Sequence, residues 1–161
     1  MQSGSLSAPP YVRPGIAAGL VGAVTLDAYL LLTVVAGVRA LTFDGFYRHI
    51  ASGVLGAAAY ASPVGVPLGI ALHVAVSLTW GIGYAYAAAR TPQVRERPLV
   101  SGIVFGIVVM VAMQLVQIAA NIYRIPSAAM LANSFVAHVA FFGIPVAYVT
   151  QRLLEPKAEA A

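Results

Sequence analysis

The sequence predicts an all-α membrane protein, a four-transmembrane-helix bundle, and three observations predict it. Of 161 residues, 60% are hydrophobic and only 9% charged, whereas a water-facing domain carries about a quarter of its residues as charges to keep its surface wet. Mean hydropathy is correspondingly high, at +0.87. Four apolar stretches each reach the roughly 20 residues that a helix needs to cross a bilayer. Only helices or closed barrels satisfy their backbone groups in hydrocarbon, and these runs are too continuous for the alternating strands of a barrel. Residues 1–161 therefore read as a single integral membrane domain.

The elements follow in chain order. A short tail, 1–12, precedes a first span of about 15–38 with Asp27 near its midpoint. An acid there and a run of that length suit a retained helix better than a cleaved signal peptide. The connection 39–62 is longer and partly apolar ("IASGVLGAAAYAS"), which fits an outer loop or an interfacial helix. His49, beside Arg48 in this connection, reads as a solvated or headgroup residue. The second span covers about 63–89, and "ARTPQVRERP" links it to a third of about 99–122. "NIYRIPS" leads into the fourth, about 127–153, and residues 154–161 form a second short tail.

The net charge is +4 and the pI about 9.7. The basic residues sit at span ends, which points to lipid headgroups and excludes nucleic acid as the reason for the charge. Arg13, Arg90, Arg95, Arg97, Arg152 and Lys157 lie on the side of the two termini, against Arg39, Arg48 and Arg124 on the other. The positive-inside bias then puts both termini in the cytoplasm and the protein in the cell (inner) membrane. Cysteine is absent, which removes disulfides, thiolate nucleophiles and Cys-ligated clusters.

Two hairpins show self-similarity. "RPGIAAGLVG" opens the first span and "RPLVSGIVFG" the third, so that Ala18 and Gly22 align with Gly102 and Gly106. The tripeptide HVA recurs at His73 and His138. A tandem duplication of a helical hairpin is the architecture this suggests, with the two histidines at similar depth. Small residues recur at four-residue spacing as Gly15 and Gly19, Gly65 and Gly69, Gly102 and Gly106, with Gly22 one turn further in the first span. Backbones approach closely at such positions, and packing within the bundle or in a dimer is the expected use.

A carboxylate at the bilayer centre costs at least about 2.5 kcal/mol, so Asp27 must find a partner or a wet cavity. Gly15, Gly19, Ala23 and Asp27 form one i, i+4 series, which aims the acid at a neighbouring helix. Gln114 sits in a matching series on the third span, and Gln117 and Asn121 extend its polar edge. His73 and Ser77 share a face with Trp80 and Tyr84 on the second span, and Ser134 and His138 are an i, i+4 pair on the fourth with Asn133 beside them. The natural reading is one intramembrane polar cluster drawn from Asp27, His73, Ser77, Gln114, Gln117, Asn133 and His138. Three uses compete for it: hydrogen bonds that tie helices together; a site for a small molecule, ion or proton; and a b-type haem held between His73 and His138, with Gly81, Gly83 and Gly143 leaving room for the macrocycle.

No G-x-S-x-G elbow, H-E-x-x-H pair or Walker loop is present, so no catalytic residue is assigned and a non-enzyme is expected. Through "LHVAVSLTWGIGYAYA" and the glycine-rich first span, the chain resembles the YagU-like four-span bacterial inner-membrane proteins. Gly19, Gly22, His73, Gly81 and Tyr84 carry the resemblance, over roughly the first ninety residues. It implies fold and location, and no residue role. The expected role is that of an accessory or packing subunit in a homo-oligomer or with other membrane-protein subunits. A ligand, ion, proton or haem b site is the alternative.

Overall fold

The computed structural model describes residues 8–37, 42–123 and 125–155. Arg39, Arg124 and Lys157 of the charge count, and the tail residues 1–7 and 156–161, lie outside them. The chain is all-α, and four helices are long and apolar enough to cross a membrane. The spans are α1 (Val12–Val35), α3 (Gly65–Arg90), α5 (Pro98–Ala119) and a fourth unit made of α6 (Ala128–His138), a π-helical turn (Val139–Gly143) and α7 (Ile144–Leu154). At about 1.5 Å per residue, the 22 to 27 residues of each span cover the hydrocarbon thickness. The first connection holds α2 (Phe43–Leu55) and a 3-10 turn (Gly56–Tyr60), and a short α4 (Pro92–Glu96) joins α3 to α5.

Local chemistry sets the helix ends. The hydroxyl of Thr42 accepts from the Gly45 amide and starts α2, and Ser127 does the same for α6 through Met130. Asp44 in the first turn of α2 suits the positive end of the helix dipole. Pro92 and Pro98 open α4 and α5, where the missing N–H has no intrahelical use. Asn121, grouped above with the intramembrane polar edge, has a different task. It stands at φ 56 just past α5, and the amides of Asn121 and Ile122 close back onto the carbonyls of Ile118 and Gln117. That is a left-handed C-terminal cap, a conformation that asparagine tolerates.

Glycines bring the spans together. A Cβ at Gly15 would lie 2.5 Å from Ile82 Cα, and one at Gly19 would lie 2.6 Å from the Ser77 carbonyl oxygen. Reciprocally, Gly81 meets the backbone of Gly15 and Gly19, so α1 and α3 cross in backbone contact. A second crossing joins α5 to the fourth unit, where Gly102 and Gly106 meet Gly143, Ile144 and His138. Gly22 makes room for the Phe142 ring and Val146, while Gly65 and Gly69 let the connection settle on α3 through Ala59 and Tyr47. Dispersion at such close range is what lipid tails cannot replace.

The two crossings also correct the expected register. The Arg-Pro alignment matches Ala18 and Gly22 to Gly102 and Gly106, yet in α1 the crossing role falls to Gly15 and Gly19. His73 precedes its crossing glycine, Gly81, by eight residues, whereas His138 precedes Gly143 by five. The HVA match therefore does not put the two histidines at the same number of residues from their crossing glycines.

Pro145 accounts for one inter-helix bond. It has no N–H, so the Phe141 carbonyl four residues earlier loses its helical donor. The hydroxyl of Thr25 on α1 donates to that carbonyl and satisfies it inside the bundle. Thr25→Val is expected to destabilise the protein by about 1–2 kcal/mol, because an orphaned carbonyl is left in an apolar place. The loss should shrink in a Pro145→Ala background, where the restored amide can supply the bond. Unfolding of the four variants in detergent checks this; equal losses in both backgrounds would contradict the pairing.

Elsewhere the core is small and aromatic. Phe105 stacks on Phe142, with Tyr84 tilted against it and Trp80 edge-on to it. Ala18, Ala88, Val109, Val146 and Ala147 fill the gaps. The Tyr84 hydroxyl meets Ser101 Oγ at 2.7 Å, so the buried phenol is satisfied.

Candidate functional site

Asp27 sits in the half of α1 that approaches the side of α2. Its Oδ1 stands 3.2 Å from His73 Nε2 on α3, with the two side chains 27% and 11% exposed respectively. The small-residue series on α1 does aim the acid at a neighbouring helix, and that helix is α3. Neither Oδ1 nor Nε2 finds a well-aligned hydrogen bond among the described residues, so the two atoms face each other off-line. A third group completes the site from α2, where the Tyr47 phenol stands beside the Asp27 carboxylate. Tyr47 is 3% exposed, and burial first, then Asp27, pushes its phenol well above the ordinary range. Tyr47 therefore remains a hydrogen-bond donor at any physiological pH.

α2 reaches this place because its aromatic residues share a helical face. Phe43, Phe46 and Tyr47 fall at i, i+3 and i+4, and Phe46 and Tyr47 set their ring edges against the imidazole of His73 at 5.8 and 6.0 Å between centroids. Gly69 accepts the Tyr47 carbonyl against α3 where any side chain would collide. The following turn is held by Arg48, whose guanidinium donates to the carbonyls of Ala59, Tyr60 and Ser62. Arg48 also pairs with Asp44 at 3.6 Å. Asp44 is held below the usual carboxylate range, first by the Thr42 hydroxyl.

The remaining polar candidates do not join this group, so the single cluster expected from the sequence divides into several. Asn133 Oδ1 accepts from Tyr29 on α1 at 2.6 Å, and Tyr29 stacks on Phe141. Gln117 bonds to its own helix at Met113 and lies 3.4 Å from His49 Nε2, so His49 is tied between Gln117 and Tyr60 rather than left to headgroups. His138 turns Nδ1 back to the Ser134 carbonyl at 2.8 Å, which makes that nitrogen the donor. Ser77 is buried in the α1–α3 crossing, and Gln114 is half-buried on α5 with no side-chain hydrogen bond among the described residues. The physical reason is helix rotation: side chains at similar depth point to different neighbours, and depth alone does not bring them together.

Haem does not fit these residues. The His73 nitrogen that would ligate iron already faces Asp27. The space expected at Gly81 and Gly143 is filled by the backbones of α1 and α5, and only Gly83 opens onto empty surroundings. Among the described residues no three His, Asp or Glu side chains gather as a metal site. The carboxylate, imidazole and phenol gather beside the Phe46 ring. Tyr47 and Phe46 were missed at the sequence level, although "FDGFYRH" already carried the amphipathic spacing that could have found them.

Fold and site together define a four-span integral membrane protein with a half-buried acid–imidazole pair. The chain belongs to the family of unknown function DUF6789, whose profile matches residues 11–160. No curated protein and no solved structure matches it.

Proposed function

We propose that the protein exchanges a proton at the Asp27–His73 pair as part of a transport-like activity in its membrane. The observation that carries this reading is the 3.2 Å approach of a carboxylate and an imidazole inside the span region, off-line and under the Tyr47 hydroxyl. An intramembrane ionisable residue with a named partner is the usual mark of a proton or ion path, and imidazole changes charge near neutral pH. A purely structural tie would favour a linear hydrogen bond. The resemblance to the YagU-like proteins implies fold and location only and adds no residue role.

The test is proton uptake into liposomes that carry the purified protein, driven by a pH gradient across the bilayer. Wild type should take up protons, and Asp27→Asn and His73→Gln should each lose most of that uptake. Equal uptake by all three proteins would overturn the proposal and leave the accessory-subunit reading. That reading draws on the outward apolar face of α5, where Val104, Ile107, Val111 and Leu115 are exposed.

A further inference from the structure

The side of the bundle that carries the chain ends has a feature unrelated to Asp27. Between α4 and α5, against the end of α3, runs an open groove lined by Gln93, Arg97, Val100, Val104, Phe105 and Val108 among others. Its wall is almost wholly apolar, and its polar groups gather at one end. Val100, Val104 and Val108 repeat every four residues and so form a continuous strip along α5, each exposed or, for Val108, half exposed. From Arg97 to Val108 the helix rises about 16 Å, close to the length of an acyl chain. Arg97 forms no ion pair among the described residues, and Arg95 lies nearby in the same turn region.

We propose that this groove is a binding site for one anionic phospholipid of the leaflet on the side of the termini. The phosphate meets the Arg97 guanidinium, with Gln93 beside it as a hydrogen-bond donor. One acyl chain lies along Val100, Val104 and Val108 and reaches the Phe105 ring. The charge complementarity is local. A guanidinium without a protein carboxylate stands at the head of an apolar strip, which matches a molecule that is anionic at one end and hydrocarbon for the rest. A zwitterionic lipid offers the same chain but a headgroup whose positive end opposes Arg97. A free phosphate offers the charge without the chain.

The test uses the full chain in nanodiscs of equimolar phosphatidylcholine and phosphatidylglycerol, followed by release into the gas phase and counting of the lipids retained. Wild type should keep one phosphatidylglycerol in preference to phosphatidylcholine. Arg97→Gln should lower that preference roughly fivefold, the weight of one basic side chain beside an anionic headgroup, while Arg95→Gln should change it less than twofold. Val104→Trp, which fills the strip without altering charge, should lose the retained lipid altogether. Equal retention of both lipids by wild type would overturn the proposal, as would equal losses in Arg97→Gln and Arg95→Gln. Unchanged retention in Val104→Trp would overturn it too. Arg97 and Val104 are both exposed, so these variants should fold.

Discussion

Gly81→Ala is expected to destabilise the bundle by about 3 kcal/mol, the upper end of overpacking costs, while Gly83→Ala two residues later should leave it as stable or more so. The two glycines lie in the same helix and share the same propensity, but their surroundings differ. A methyl group at Gly81 would run into the Gly15 carbonyl and come within 2.6 Å of Gly19 Cα and N, all of them backbone atoms of α1. Backbone has no rotamer with which to give way, so the helices must part and forfeit the contacts along the whole crossing. At Gly83 nothing lies within 4 Å, and the added methyl removes about 0.5–1 kcal/mol of the entropic penalty of glycine in a helix. Denaturant midpoints of the two variants in the same detergent check this. Similar midpoints would mean that α1 and α3 do not meet at Gly81.

His73→Leu is expected to cost about 2–3 kcal/mol, and adding Asp27→Leu should restore most of it. Removing one partner of a buried charged pair leaves the other uncompensated, a loss of about 3–5 kcal/mol in fully buried cases. The figure is reduced here because Asp27 keeps 27% of its side chain exposed. The double variant removes both polar groups from the apolar region. Urea or detergent unfolding of wild type, the two single variants and the double variant measures the coupling. Additive losses would show that the two residues do not act as a pair.

These outcomes also separate stability from function. Asp27→Asn keeps the size of the side chain and removes only its charge, so a loss of proton uptake without collapse of the fold speaks for exchange at the pair. The lipid groove lies at the other end of α5 and α3, so its variants should leave proton uptake unchanged.

By itself the sequence determined the solvent, the number of spans and the points at which close backbone approach is possible. Each of these is a local property: hydropathy is summed over a window, and glycine permits a contact whatever the partner. Asp27 likewise had to face another helix, because no other environment in a membrane suits a carboxylate. Which helix it faces, and with what beside it, was settled only by tertiary structure. Rotation and register of the crossings put His73 on Asp27 and sent Asn133 to Tyr29 and Gln117 to His49. The connection supplied Tyr47, since α2 folds back onto Gly69 and not outward to solvent. Spacing along one helix says which side chains share a face, but the facing partner depends on angles between helices that no single segment encodes.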